Sequence, residues 1–436
     1  MLRSGTPLGY SQAVRGATHR SPGMLLTDHE FAVPLDHDDP SAGETTVFAR
    51  EVVASRKQGQ DLPWVLYLAG GPGARSPRPV SRAGWLGRLL QEYRVVLLDQ
   101  RGSGRSSPVS ARRLRDIGSA PAVAEHLTHF RADSIVRDAE LIRRELLGDQ
   151  KWTVLGQSYG GFVAMTYLSL APHGLREVMV AGGLPPLDRS AEEVYRATYE
   201  RVRHRHARFI DRYPGDQARL DAIANAVCKT EVRLPSGARL GVERLQQLGM
   251  QLGPGDGFET LHYLLESAWD TDDLSVDFLW ALEAATTFAG QPLYALMHES
   301  IYCQGNASRW AAQRMRDTLT EFSPEARPLQ LTGEMIYPWM FEDDPVLTPY
   351  REVADLLAEH EGWPALYDSV RLAANEVPLA ATIYHDDMYV EYAYSLETAK
   401  RVGAAQYWVT SEFAHDGLRS SDRVLDRLLE MVAGEA

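Results

Sequence analysis

Cysteine is scarce in this sequence, and long apolar stretches are absent. Of 436 residues only two are cysteines, Cys228 and Cys303, and no C-x-x-C pair occurs. These absences exclude a zinc ribbon and a disulfide framework, so we expect two free, buried thiols in a reducing cytosol. No run approaches the roughly 18 apolar residues that a transmembrane helix needs. The N-terminal residues contain no apolar segment of the signal-peptide kind. Together these features predict a soluble, cytoplasmic protein.

Positive charge is also in deficit. The chain has 45 Lys and Arg against 59 Asp and Glu, a formal net charge of −14, and no Lys/Arg run. This balance argues against nucleic acid and against an anionic membrane surface as partners. It is compatible with a cationic small substrate. Hydrophobic residues make up 44% and charged residues 24%, which is ordinary for a globular protein with a sizeable core.

Short apolar runs alternate with helical patterns in the first half of the chain. Runs of this kind are typical of strands buried on both faces. Their alternation with helices predicts a doubly wound α/β domain with a mostly parallel sheet. An antiparallel hairpin is expected before them, and the first twenty-odd residues are predicted to form a loose arm. The hairpin strands are Glu30–Val33 and Thr45–Val53; the apolar runs are Trp64–Ala69, Arg94–Leu98, Trp152–Leu155 and Val178–Ala181; the helical patterns are Trp85–Glu92, Ser134–Leu147 and Gly161–Ser169.

The pattern becomes almost entirely helical from about residue 191 to residue 341. The α/β pattern returns at Val377–Tyr384 and Gln406–Thr410, and an amphipathic helix over Ser421–Val432 closes the chain. We therefore predict a helical cap over residues 186–345, inserted into an α/β core formed by residues 1–185 and 346–436.

Gly156-Gln-Ser158-Tyr-Gly160 fits the pattern G-x-S-x-G between a buried strand and a helix. This context is typical of the nucleophile turn of the α/β-hydrolase fold. A sharp strand-to-helix turn forces the serine toward unfavourable backbone angles, and glycines two positions on either side let the backbone pass closely. The start of the helix then favours developing negative charge. Ser158 is thus the predicted nucleophile; the alternative is an ordinary glycine turn.

A serine nucleophile of this kind needs two hydrogen-bond donors for the oxyanion of the tetrahedral intermediate. One is expected to be the N–H of Tyr159, directly after the serine. The other should come from the loop after an earlier strand, where Gly70-Gly71-Pro72-Gly73 lies. We favour Gly71 or a direct neighbour. The alternative is a glycine-rich turn without a catalytic part.

The base and the acid of the triad should follow the serine in the order Asp/Glu, then His. His415 lies after the last predicted strand and before the closing helix, which is the place expected for the base. The acid should follow Val377–Tyr384, where Asp386 and Asp387 are adjacent, and we favour Asp387. Asp99 and Asp416 are weaker alternatives, since Asp99 precedes the serine and Asp416 is next to the histidine. Other histidines fall in helical patterns: His204, His206, His262 and His298.

These motifs together resemble the proline iminopeptidases, serine peptidases of the α/β-hydrolase superfamily, and in particular their larger bacterial subgroup. The resemblance covers nearly the whole chain. It depends most on the GGPG and DQRG loops, which are more specific than the serine motif alone. The matching segments are Leu66–Gly73, Asp99–Gly102 with Gly104–Ser106, Phe130–Asp138, Gly156–Gly160, Gly333–Phe341 and His415–Arg419.

The resemblance implies release of N-terminal proline and a cap that binds the substrate amine. Asp387-Met-Tyr-Val390 is similar to the family's acid motif and so supports Asp387. Glu299, in a Glu-x-x-Tyr motif, and Glu334 are the candidates for the amine; the alternative is that either is a solvated charge. The sequence departs from the family pattern at three positions. Members often have glycine at the positions of Tyr384 and Ala414, and many have histidine at the position of Ala69.

We therefore predict a prolyl aminopeptidase that needs neither metal nor cofactor and acts on peptides with an N-terminal proline. Ser158 would attack, His415 would transfer the proton, and Asp387 would orient the imidazole. Aromatic residues of the cap (Tyr302, Tyr337 and Trp339) could line the proline pocket, although core packing is the commoner role of such side chains. The alternatives are an esterase or a broader aminopeptidase on the same fold, or a non-catalytic binding protein. An epoxide hydrolase is disfavoured because it would have aspartate in place of Ser158.

Overall fold

A nine-stranded sheet forms the centre of the structure, a computed structural model that describes residues 14–435. The strands lie in the order β1-β2-β3-β5-β4-β6-β7-β10-β11. β1, β2, β3 and β5 pair antiparallel, and the rest of the sheet from β5 to β11 is parallel. In chain order the strands are β1 (Val14–Ser21), β2 (Met24–Pro34), β3 (Glu44–Ala54), β4 (Trp64–Leu68), β5 (Arg94–Asp99), β6 (Trp152–Gln157), β7 (Leu175–Ala181), the short pair β8 (Trp269–Asp270) and β9 (Asp273–Leu274), β10 (Leu379–Tyr384) and β11 (Ala405–Thr410).

Helices cover both faces of the sheet, and apart from the short pair β8 and β9 the segment between β7 and β10 contains helices and loops. One face packs against α4 and α5 through side chains such as Ile135 and Phe162, and the other against α1 and α18 through Leu89 and Leu428. The helices are α1 (Gly84–Leu89), α2 (Ala111–Ile117), α3 (Ala120–Thr128), α4 (Ala132–Leu147), α5 (Tyr159–Leu170), α6 (Ala191–Arg212), α7 (Gly215–Lys229), α8 (Val242–Gln246), α9 (Gly257–Glu266), α10 (Val276–Thr286), α11 (Pro292–Met297), α12 (Ala311–Thr318), α13 (Met340–Asp343), α14 (Arg351–Glu359), α15 (Ser369–Ala373), α16 (Tyr392–Arg401), α17 (Gly417–Ser420) and α18 (Asp422–Ala433).

The α/β-hydrolase fold predicted from the sequence is confirmed. The buried strands β4 to β7 follow the apolar runs, and the predicted hairpin is the antiparallel pair β2 and β3. Helices α6 to α13 lie within residues 186–345, where the inserted cap was expected, and α14 and α15 follow before β10. The cap boundaries at residues 186 and 345 stay a prediction. Within the described residues, every helix is too short or too polar to cross a lipid bilayer.

Two expectations need correction. The predicted N-terminal arm is wrong for Val14–Ser21, which forms β1 and pairs antiparallel with β2 through a turn at Gly23, where φ is 75°. The backbone pairing of this edge strand leaves little trace in composition; residues 1–13 of the predicted arm lie outside the described part of the chain. The second correction concerns the thiols: Cys303 is buried as expected, but Cys228, near the end of α7, is exposed.

Arg131, just before α4, joins the core to two distant segments. Its guanidinium is buried and donates to the carbonyl oxygens of Ser300 (3.2 Å), Cys303 (2.5 Å) and Pro364 (2.6 Å). It also lies 4.8 Å from the centre of the Trp363 ring, within the range of a cation–π interaction. A buried charge is tolerated only when it is well hydrogen-bonded, so this contact holds the helical segments against the sheet.

Candidate active site

Ser158 lies between the end of β6 and the first residue of α5. Its backbone angles, φ 54° and ψ −126°, are strained for a residue with a side chain. Two hydrogen bonds hold this turn: the Ser158 N–H donates to Ala181 O (3.1 Å), and the Gly161 N–H donates to Ser158 O (2.7 Å). The surrounding structure therefore keeps the serine in the strained turn that the G-x-S-x-G motif predicts.

Glycines surround this turn because the backbones meet without room for side chains. A Cβ at Gly160 would lie 2.0 Å from Leu68 O, and one at Gly156 would lie 2.3 Å from Gly160 O. Gly183, at the end of the neighbouring strand, comes equally close, since its Cβ would lie 2.2 Å from Ser158 O. Three strand ends thus pack directly around the serine.

Asp387 and His415 are hydrogen-bonded to each other. His415 Nδ1 lies 2.7 Å from Asp387 Oδ2, and the other carboxylate oxygen accepts the N–H groups of Tyr389 (2.9 Å) and Val390 (3.1 Å). Burial alone would lower the pKa of His415, but the charge and hydrogen bond of Asp387 raise it. The carboxylate is therefore placed to orient the imidazole and to stabilise its cation.

The end of β7 lies between the serine and this pair. Ala181 accepts the Ser158 N–H, and a Cβ on the next residue, Gly182, would lie 3.6 Å from Asp387 Oδ2. Since β6, β7, β10 and β11 are parallel neighbours, their carboxyl ends share one edge of the sheet. The predicted serine, acid and base therefore lie at the same sheet edge, although the hydrogen bonds of residues 14–435 include none between the Ser158 hydroxyl and His415.

The three alternative acids have other partners. Asp386 pairs with Arg208, and its other oxygen lies 2.9 Å from His385 Nδ1. Asp99 is buried and pairs with Arg78. The third, Asp416, accepts the N–H of Gly255 at 2.8 Å. Only Asp387 among the four is hydrogen-bonded to His415.

The GGPG loop lies directly against the serine. A Cβ on Gly70 would be 3.1 Å from the Ser158 Cβ, and Gly71 has φ 129°, in the region that favours glycine. The side chain of Gln100, from the DQRG motif, donates to Ala69 O (2.9 Å) and so fixes the start of this loop. Tyr159 is the first residue of α5, and the first N–H groups of a helix have no partner within it. Tyr159 and Gly70, the neighbour of Gly71, thus lie beside Ser158, and the two oxyanion donors stay a prediction.

Glu334 is placed close to the triad. It accepts a hydrogen bond from the Tyr294 hydroxyl at the start of α11. Burial raises the pKa of Glu334 to about 7, although His415 and Tyr294 both favour its charged form. Apart from the Tyr294 hydroxyl, no protein donor in the described chain is hydrogen-bonded to this carboxylate. It can therefore accept hydrogen bonds from a cationic ligand beside the reacting groups.

Glu299 has a different environment, because its two carboxylate oxygens accept backbone N–H groups. Ala311 N lies 3.2 Å from one oxygen and Ala312 N lies 2.9 Å from the other, both in the first turn of α12. Burial raises the pKa of Glu299, and these hydrogen bonds partly offset the effect. The sequence grouped the two glutamates together, but the structure places Glu299 at the start of a helix.

The predicted aromatic residues separate into two groups. The ring of Tyr302 meets Tyr195 edge-on, with centroids 6.0 Å apart, and also meets His298 edge-on at 6.2 Å. By contrast, the Tyr337 hydroxyl lies 2.7 Å from that of Tyr199, and Trp339 stacks on Tyr337. The Tyr302 group also contains Tyr294, which stacks on His298. Tyr302 is thus connected to the surroundings of Glu334.

Sequence reasoning missed Tyr294, placed His298 only in a helical pattern, and gave Tyr389 no role of its own. Tyr389 meets the His415 ring edge-on at 4.8 Å, and its hydroxyl donates to Met250 O. The i, i+4 spacing of Tyr294 and His298 places both on one helix face, which could have been read from the sequence. No local sequence pattern links Tyr294 or His298 to Glu334. In residues 14–435 no group of three His, Cys, Asp or Glu side chains is arranged to hold a metal ion.

Comparisons with known proteins bear on the fold and the family of the chain. A family model described as "alpha/beta hydrolase fold" matches residues 63–224. The chain is 48% identical to a protein from Aeromonas sobria named "Proline iminopeptidase", over 94% of this chain and 97% of that protein. It is 36% identical to "Proline iminopeptidase aneH" from Aspergillus aculeatus, over 92% of each chain. By this extent of identity, the chain belongs to the proline iminopeptidases.

Proposed function

We propose that this protein is a serine exopeptidase that releases N-terminal proline from peptides. The observation that carries the proposal is the half-buried carboxylate of Glu334 beside the Asp387–His415 pair. An aminopeptidase must bind a protonated amine next to its nucleophile, and a desolvated carboxylate does so through charge-assisted hydrogen bonds. An esterase has no need of such a group. The named relatives support the same reaction class.

In the proposed reaction the Ser158 hydroxyl attacks the carbonyl carbon of the N-terminal proline. His415 takes the hydroxyl proton, and Asp387 stabilises the imidazolium that forms. The N–H groups of Tyr159 and Gly71 are proposed to hold the oxyanion. His415 then donates its proton to the leaving amine, which departs and leaves a prolyl ester on Ser158.

A water molecule completes the cycle. His415 removes a proton from the water as it attacks the prolyl ester, and it returns that proton to the serine oxygen as the ester bond breaks. The products are free proline and the shortened peptide. Glu334 keeps its contact with the proline amine through both steps. It also selects against substrates in which the amine is acylated.

The glutamates are assigned different parts in this proposal. Glu334 binds the amine, because it has only one protein donor and lies near His415. Glu299 shapes the cap by fixing the start of α12. Tyr302 is proposed as a wall of the pocket for the proline ring, which needs a tight apolar surface.

The test compares the wild type with Ser158→Ala on a prolyl arylamide. We expect the variant to lose at least about a thousandfold in kcat while its Tm stays unchanged, because the nucleophile is removed and little packing is lost. The wild type should cleave Pro-arylamide and leave its N-acetylated form intact. Turnover by Ser158→Ala, or equal cleavage of the acetylated compound, would contradict the proposal.

A further inference from the structure

A polar cleft opens beside the GGPG loop, between the core and the helical segments. Its volume is about 450 Å³. Gly73 and Arg75 form one wall, Gly104 belongs to the second, and Thr287 and Gln291 lie on the third. The cleft is thus next to the loop that flanks the nucleophile, and it is large enough for one or two peptide residues.

The charge of the cleft is opposite to that of the molecule. The chain carries −14 in total, yet Arg75 is the one charged side chain among the described residues that line the cleft. The nearby Arg78 pairs with Asp99, whereas no ion pair within residues 14–435 involves Arg75. Arg75 is exposed to the solvent. An anionic ligand would therefore find an available guanidinium here.

The backbone beside Arg75 is fixed by hydrogen bonds and packing, whereas its side chain is exposed. The next residue, Ser76, is buried; its N–H donates to Asp99 Oδ1 (3.0 Å) and its hydroxyl to Leu98 O (2.6 Å). A Cβ at Gly104 would lie 2.9 Å from the Arg75 Cβ, so the opposite loop packs against the same point. The side chain therefore starts from a fixed position at the rim of the cleft.

Helix α11 lies between the cleft and Glu334. Its first residue, Pro292, lines the cleft, and a Cβ at Gly73 would lie 2.9 Å from the Leu293 Cβ. The following residue, Tyr294, reaches Glu334. The Glu334 carboxylate, which is proposed to hold the substrate amine, lies on one side of the start of α11. The cationic cleft lies on the other side.

We propose that the cleft binds the residues after the scissile bond and that Arg75 binds the C-terminal carboxylate of a dipeptide or tripeptide. The inference rests on the proposed function, since it needs the amine at Glu334 and the carbonyl at Ser158. Guanidinium and carboxylate form paired hydrogen bonds, which makes arginine well suited to a free C-terminus. The volume of about 450 Å³ accommodates one or two peptide residues after the scissile bond. The protein is thereby an enzyme for short peptides with a free carboxylate.

The experiment measures kcat/KM for Pro-Ala and Pro-Ala-Ala and for the same peptides as C-terminal amides. Wild type, Arg75→Gln and Arg75→Lys are compared, with Arg56→Gln as the control because Arg56 is an exposed arginine outside the cleft. We expect Arg75→Gln to lose about fivefold on a free-carboxylate peptide and to be unchanged on the amides. Arg75→Lys should retain part of the preference, and Arg56→Gln all of it.

Prolyl arylamide separates the two levels of the proposal, because it has no C-terminal carboxylate. If all variants cleave it at the wild-type rate, and Arg75→Gln loses activity on the free acids but not on the amides, the inference is supported. If they cleave it but Arg75→Gln treats acids and amides as the wild type does, the inference is wrong and the proposed function stands. Failure of the wild type to cleave any prolyl compound would overturn both.

Discussion

At the scale of single residues, the two cap glutamates differ in their hydrogen-bond partners and therefore in their uses. Hydrogen bonds to backbone N–H groups occupy both oxygens of Glu299. Glu334 has the Tyr294 hydroxyl, and its pKa is raised to about 7. A desolvated carboxylate with a single hydrogen-bond donor is stabilised more by a bound cation than one whose two oxygens already accept hydrogen bonds.

This difference predicts a pH dependence of activity. Glu334 binds the amine as a carboxylate, and the fraction of carboxylate rises as the pH passes through about 7. His415 must also be neutral to act as a base, so both groups make kcat/KM increase from acidic to neutral pH. Glu334→Gln should raise KM for a prolyl arylamide roughly tenfold to a hundredfold, the size of a lost hydrogen bond to a charged group.

The measurement is a pH profile of kcat/KM for wild type and variant. Glu334→Gln should keep only the part of the acidic limb that belongs to His415. Glu145→Gln, which changes an exposed glutamate of α4, is the matched control and should follow the wild type. An unchanged KM for Glu334→Gln would refute the role given to this residue.

The sequence could identify Ser158, Asp387 and His415 because each residue follows a strand that can be recognised from its apolar or β-branched residues. Strand order along the chain then predicts which ends meet. The contact of Glu334 with Tyr294 could not be found in this way, since Tyr294 is 40 residues away in α11 and Glu334 lies in the loop before α13. The contact between Tyr294 and Glu334 depends on how α11 packs against the loop before α13, and a local sequence pattern does not encode that packing.

At the scale of secondary structure elements, the turn from β6 into α5 is the most constrained part of the site. It holds a serine in strained geometry between glycines that touch neighbouring backbone. The sequence predicted this turn because the motif and its strand–helix context are local. It did not predict β1, whose existence depends on pairing with β2.

Gly160→Ala tests this constraint. The added methyl group would lie 2.0 Å from Leu68 O, so β4 and α5 must move apart. We expect a loss of about 1–3 kcal/mol in the free energy of unfolding and a lower kcat, because the Ser158 turn shifts with the helix. Gly215→Ala, where nothing lies within 4 Å, is the control. Urea denaturation and arylamide kinetics measure both effects; equal behaviour of the two variants would contradict the packing argument.

At the scale of the whole molecule, burial of Glu334 links stability to pH. The folded pKa of Glu334, about 7, exceeds the value of 4.5 usual for a glutamate, so the folded state binds its proton more tightly than the unfolded state does. The free energy of unfolding therefore falls as the pH rises from 4.5 to 7 and loses nothing further from this group above that range.

Glu334→Gln should remove this loss. We expect its Tm to exceed that of the wild type at pH 8 by several degrees and to match it at pH 4, where the native glutamate is already neutral. Glu145→Gln should show no such pH-dependent gain. Thermal unfolding at the two pH values decides the matter, and a lower Tm of Glu334→Gln at pH 8 would contradict it.

The contacts of Arg131 have a consequence for protein engineering. Three carbonyl groups from two separate segments accept hydrogen bonds from the two terminal nitrogens of its buried guanidinium, and Trp363 covers it. A chimaera that exchanged the helical segments for those of a relative would leave these two nitrogens without their acceptors unless the new loops supplied carbonyls at the same points. Grafting specificity between such enzymes therefore requires Arg131, residues 300–303 and residues 363–364 to be transferred as one unit.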